Sequence, residues 1–132
     1  ATGVARSACE FLETQKDLKS RLRDIPAEEI TSKDVFDAAV AGDKLAQDVF
    51  TFTGQILGEA FADFVKFSSP EAIIMFGGLS KAGELLLRPI RESMEKNLMP
   101  IFRDKVKLLF SELKESDAAV LGASALAWEI KE

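Results

Sequence analysis

With 132 residues, nearly half of them apolar, the chain is one domain's worth of sequence with material for a real core. A net charge of -5 and scattered positive residues argue against a nucleic-acid footprint. The absence of histidine excludes a Ser-His-Asp or Cys-His pair and a histidine-bound zinc, and the single cysteine, Cys9, excludes an internal disulfide.

Val4, Ala8, Phe11 and Leu12 recur at helical spacing and predict a first helix, with Thr2 as its cap. Residues 23–31 form a polar connection containing Pro26. Ser32 reads as the N-cap of a helix over "KDVFDAAVA", which Gly42 ends. Asp43 caps a long helix over residues 44–67. Its apolar positions make two adjacent rows, 45-49-52-56-60-64 and 46-50-57-61-65, so burial on most sides is expected. Residues 71–76 are predicted as a strand, apolar on both faces like the centre of a parallel sheet. The next helix covers residues 80–98, and Pro89 should kink or divide it. "KVKLLFSEL" is a second strand, alternating more and therefore nearer an edge. A last helix over 116–130 is capped by Ser116 or Asp117 and anchored by Leu126, Trp128 and Ile130.

Ten Phe and no Tyr point to aromatic surface meant for burial. Cysteine usage fits a reducing cytoplasm, no leader peptide is read, and no apolar run is long enough to span a bilayer. Any catalysis by this chain alone would rest on carboxylates, lysines or backbone amides.

Two strands joined through a helix should be parallel, with a right-handed crossover. A two-stranded parallel sheet leaves unpaired edges beside apolar faces and is rarely stable alone. The chain is therefore expected to be a fragment, or to complete its sheet with a partner.

The stretch "EAIIMFGGLSKAGELL" ends its strand at Gly77-Gly78. Gly78 and Gly83 have the spacing of a Walker A loop, but Glu84-Leu85 stand where Lys-Ser/Thr is required. The dinucleotide fingerprint fails because the glycines are adjacent. Two readings stay open. The pair satisfies a tight turn with φ > 0, or it lets a ligand come close to bare backbone beside a helix N-terminus.

The block "SPEAIIMFGGLSKAGELLLRPIRE" closely resembles the ROK family of repressors, uncharacterised reading frames and sugar kinases. "ATGVAR" and "DAAVLGASALA" resemble two further blocks of that family, in its order and spacing. The resemblance implies an α/β fold: the carboxyl-terminal part of an actin-like ATPase (ribonuclease H-like) domain, helix-rich with about two parallel strands. It assigns Gly77, Gly78, Leu79 and Ser80 to the adenosine motif. It implies ATP and Mg²⁺ as cofactors and a hexose as substrate. The family's Asp-x-Gly-x-Thr motif, its sugar-contacting residues and its zinc-binding cysteine cluster would all lie upstream. Residues 1–132 then form a single partial domain, the carboxyl half of a glucokinase-type kinase, inactive alone. The alternatives are the sensor half of a ROK repressor or a non-catalytic oligomerisation module. The family implies a homodimer or larger homo-oligomer. No membrane and no nucleic acid are expected as partners of this chain.

Other residues carry two readings each. Gly54, Gly58 and Ala62 leave a groove for a helix or for a flat ring. Gly122 with Ala118, Ala119 and Ala123 makes a similar small-residue face. Asp63 is expected to face solvent and Asp117 to cap a helix, while Glu84 suits a first turn. Arg88 and Arg91 could reach a phosphate or simply sit exposed. Cys9 reads as an inert core thiol.

Overall fold

The computed structural model describes residues 2–113 and 115–129. Five helices and two strands follow in the order α1 (Thr2–Thr14), α2 (Ser32–Val40), α3 (Lys44–Ser68), β1 (Ala72–Met75), α4 (Glu84–Asn97), β2 (Lys107–Phe110) and α5 (Glu115–Glu129). Short 3₁₀ turns fill the connections at Arg21–Asp24, Ala27–Glu29, Gly78–Ala82 and Pro100–Phe102.

Helix α1 already includes Thr2, which lies in its first turn rather than capping it. Its far end is closed by Arg23, whose guanidinium donates to the carbonyls of Leu12, Gln15 and Leu18 at 3.1, 2.6 and 3.1 Å. The cap of α2 is Thr31, not Ser32. Thr31 accepts from the Asp34 amide, and the Asp34 carboxylate accepts from the Thr31 amide, so the two ends of the first turn satisfy each other. Gly42 follows the end of α2 with φ of +89°.

Asp43 caps α3 as expected, and it does more. Its carboxylate accepts from the Ala46 amide, the Ser20 hydroxyl and the Arg21 amide, at 3.2, 2.8 and 2.7 Å. Burial by itself would raise its pKa, but the Arg21, Ala46 and Ser20 bonds outweigh that and hold it below the ordinary aspartate value. One buried carboxylate thus ties the long α1–α2 connection to the start of α3.

Helices α3 and α4 pack side by side through small residues. A Cβ on Gly54 would stand 2.7 Å from the Pro89 ring, and one on Gly58 would stand 2.5–2.7 Å from Ser93, the Ile90 carbonyl and the Met94 amide. Ser93 donates to the Gln55 carbonyl at 2.8 Å across the same contact. Pro89 does not divide α4, which runs unbroken through it. Its ring occupies the space that Gly54 leaves, so the contact holds the helix through the missing amide.

The main core joins α1, α2, the first half of α3 and α4 around Val4, Val35, Val49, Phe50, Leu86 and Ile90. A smaller cluster gathers Ala62, Val65, Met94, Leu98 and Val106. Helix α3 is not buried on most sides. Its inward face along the second half is Gly54, Gly58, Ala62 and Val65, while Ile56 and Phe64 face outward and the partly exposed Phe52 packs on Phe11 of α1. Nor are the phenylalanines uniformly buried, since Phe67 is 94% and Phe64 60% exposed. Apolar rows mark a face that can be covered, and in this chain part of that face is bare.

The strands pair in parallel, with Ile73 opposite Leu108 and Ile74 opposite Leu109. Leu108 points into the core, whereas Ile74 is 64% exposed and Leu109 is exposed beside it. So β1 is not covered on both faces, and the described sheet has two strands. Helix α5 begins at Glu115, which places Ser116 and Asp117 inside it rather than at the cap. Trp128, 83% exposed, and the exposed Leu126 do not anchor the helix; Ile130 lies outside the described residues. Among the described residues no helix is long and apolar enough to cross a membrane.

Candidate functional site

The site begins where β1 ends. Gly77 has φ of +100°, a conformation that any side chain would strain. Gly78 has no such constraint, yet a Cβ there would meet nothing within 4 Å. The backbone of Gly78, Leu79 and Ser80 continues as a 3₁₀ turn to Ala82. Gly83, with φ 55° and ψ -135°, then caps α4, and its carbonyl accepts from the Leu86 and Leu87 amides. The α-helix therefore starts at Glu84, not Ser80. The expected helix N-terminus beside the glycine pair is displaced by one 3₁₀ turn.

Gly78 borders a cavity of about 530 Å³. One wall is α2, with Ser32, Lys33, Phe36 and Asp37; the opposite wall is the 3₁₀ turn, with Gly78, Lys81 and Ala82; Phe50 of α3 contributes the floor. Phe50 is fully buried and meets the half-buried Phe36 ring edge-on, with centroids 6.3 Å apart and planes at 77°. That contact fixes Phe36 as a flat apolar wall. The small residues opposite keep the gap wide. Polar groups are few and stand on α2 and the turn: Ser32, Lys33, Asp37 and Lys81. An apolar slot of this size with a few polar groups suits a planar organic ring better than it suits acid–base chemistry.

Of the residues assigned from the sequence, Gly78 lines the cavity and Gly77 makes the turn that presents it. Lys33, Phe36, Asp37, Phe50, Lys81 and Ala82 were not foreseen. No local signal marks them, because three separate segments bring them together. A second hollow, about 300 Å³, lies between α2 and the Arg21–Asp24 turn and shares only Asp37 and the α2 side with the first.

The groove of Gly54, Gly58 and Ala62 is filled by α4, which removes the flat-ring reading for it. Asp63 is exposed and pairs with Lys66 at 3.0 Å, and Glu84 lies in the first turn of α4. Arg88 is exposed and bonded to Glu92 at 2.8 Å, which raises its pKa, and Arg91 is exposed. Cys9 is half-buried against the core, with its thiol 3.4 Å from the Ala27 carbonyl. A Cβ on Gly122 would touch nothing within 4 Å, so the small face of α5 packs against no described residue there. Among the described residues no group of three His, Cys, Asp or Glu could hold a metal ion.

Comparison with known proteins agrees with this architecture. Residues 6–130 match the ROK family. The glucokinase of Halalkalibacterium halodurans is 36% identical over 132 residues, all of this chain and 39% of that protein. The DNA-binding transcriptional dual regulator NagC of Escherichia coli is 30% identical over 102 residues, 77% of this chain and 25% of that protein. A ROK family glucokinase from Streptomyces griseus, solved in complex with glucose and AMPPNP, superposes with a TM-score of 0.78 at 28% identity, covering 93% of this chain and 40% of that one. The chain thus spans about two fifths of the length of the glucokinases it matches. Its fold is a helix-rich part of the actin-like ATPase fold of ROK sugar kinases, and the chain belongs to the ROK family.

Proposed function

We propose that this chain is the nucleotide-side, carboxyl-terminal part of a cytoplasmic ATP-dependent hexose kinase of glucokinase type, with residues 1–132 forming one partial domain. The observation that carries the reading is the bare backbone of Gly78, facing a cavity with a phenylalanine floor that no protein atom fills. The adenine lies in that cavity against Phe36. The ribose passes over Gly77 and Gly78, where the absence of Cβ atoms permits close approach, and the Leu79–Ser80 backbone continues the cradle. The glucose and AMPPNP bound to the Streptomyces griseus relative support a sugar and an ATP-like nucleotide as the parent enzyme's substrates.

Phosphoryl transfer needs a base for the sugar hydroxyl and charge stabilisation, with Mg²⁺ accompanying the nucleotide. The ROK resemblance assigns those groups to sequence upstream of Ala1. What this chain does in the reaction is hold and orient the nucleoside end, so by itself it does not phosphorylate glucose. The outward-facing Phe64 and Phe67 support assembly of the parent as a homodimer or larger homo-oligomer.

A second reading, the sensor half of a ROK repressor, is favoured by the similarity to NagC. The sequence preceding Ala1 separates the two: a phosphate-binding Asp-x-Gly-x-Thr marks a kinase and a helix-turn-helix marks a repressor.

The test is equilibrium binding of a fluorescent ATP analogue to the chain and to Gly78→Leu. A Cβ at Gly78 would meet no protein atom within 4 Å, so the melt should stay within ~0.5 kcal/mol of the parent chain while binding falls at least tenfold. Equal binding by the two proteins would reject the site.

A further inference from the structure

The cavity beside Gly78 is bordered by one carboxylate, that of Asp37, and no described residue bonds to it. Asp34 is occupied by the Thr31 amide and hydroxyl, Asp43 by Ser20, Arg21 and Ala46, and Asp48 by Lys44. Asp37 stands on the cavity wall, and among the described residues its carboxylate has no hydrogen bond or ion pair. It directly follows Phe36 on α2. The flat wall and the acceptor are therefore set about 100° apart on one helix, the ring facing the Phe50 floor and the carboxylate lying on the solvent side of the slot.

That pairing matches the two faces of a nucleobase. The ring surface needs an apolar plane, and the edge of a base carrying an amino group needs an acceptor. A carboxylate accepts only. It favours bases with an exocyclic N–H and gives nothing to a base that lacks an N–H donor at that edge. Lys33 lies one helical turn earlier on the same side of α2 and borders the same cavity.

We propose that Asp37 is a specificity-determining residue, accepting a hydrogen bond from the exocyclic amino group of a purine stacked on Phe36. This rests on the nucleoside reading of the Gly78 cavity, which the experiment tests separately. Adenosine and purine riboside, identical except for the amino group, compete against a fluorescent ATP analogue bound to the full chain and to Asp37→Ala. The expected result is adenosine about tenfold tighter than purine riboside on the parent chain, collapsing to near parity on Asp37→Ala. Purine riboside itself should bind both proteins alike. A tenfold preference that survives Asp37→Ala overturns the role of Asp37 and leaves the cavity intact as a nucleoside site. Parity on the parent chain overturns it too. Failure of both nucleosides to displace the analogue overturns the cavity reading along with the inference. Asp37 is exposed and its carboxylate is bonded to no described residue, so Asp37→Ala should melt like the parent; if it does not, Asp37→Asn gives the second readout. Its amide oxygen still accepts, so a partial preference of a few-fold supports the proposal, and an undiminished preference opposes it.

Discussion

Along the α3–α4 contact, a methyl group at Gly58 would come within 2.7 Å of Ser93, the Ile90 carbonyl and the Met94 amide. Beside β1, a methyl group at Gly78 would meet nothing within 4 Å. Both residues sit in runs that resemble each other in the sequence: small residues amid Phe, Ile and Leu. At Gly58 the missing side chain is explained by protein atoms that occupy its place. At Gly78 neither packing nor a positive φ requires glycine, and the free space opens into a cavity. The difference separates a glycine that serves the fold from one that leaves room for something outside the chain.

The sharpest way to break this contrast is Gly58→Ala. Two of the three close neighbours are backbone atoms of α4, so the helices must separate, and a loss of about 3 kcal/mol is expected in chemical denaturation. A neutral result would mean that the α3–α4 contact is looser than described.

Asp43→Ala should cost about 2 kcal/mol, since it removes the α3 cap and leaves the Ser20 hydroxyl and the Arg21 amide without their acceptor. The same group sets an acid limit. Its folded pKa is depressed, so its contribution is whole above the unfolded value of about 3.9 and is lost as pH falls through the folded value. Melts between pH 7 and pH 3 should show a loss at the acid end that is smaller in Asp43→Ala. An equal loss in both proteins would assign the acid sensitivity elsewhere.

Gly122→Ala is the opposite of Gly58→Ala. The residue lies mid-helix with open space around it, so alanine should stabilise by about 0.5–1 kcal/mol. The smallest effect is expected at the other end of α5. Trp128, the chain's single tryptophan, is 83% exposed. Trp128→Phe should leave stability within about 0.5 kcal/mol, and the native indole should emit as a solvated ring open to iodide quenching. A blue-shifted, protected emission would show that α5 is covered.

Much of the chain was legible in its sequence, for identifiable reasons. Helix periodicity and local caps give the positions of α2 and α3 within a residue or two, periodicity alone gives the start of α5, and the parallel pairing follows from the helix between the strands. The cap of α2 was misplaced by one residue because Ser32 and Thr31 are both good caps. Asp34, three residues after Thr31, was the deciding signal. Periodicity also shows which positions are apolar without showing what covers them. That is why Phe64, Phe67, Ile74 and Trp128 were expected inside and stand outside. The glycine pair was legible as a turn of special chemistry. The cavity it borders was not, because Phe36, Phe50 and Gly78 are brought together only by the packing of α2 and α3 against the turn.

The most direct measurement is a titration of the isotope-labelled chain with AMPPNP, followed by amide NMR. The account predicts saturable shifts that cluster at residues 33, 36, 37, 78, 81 and 82, with little change at residues 54–58 of the α3–α4 contact. Shifts confined to other surfaces, or none at millimolar nucleotide, would contradict it.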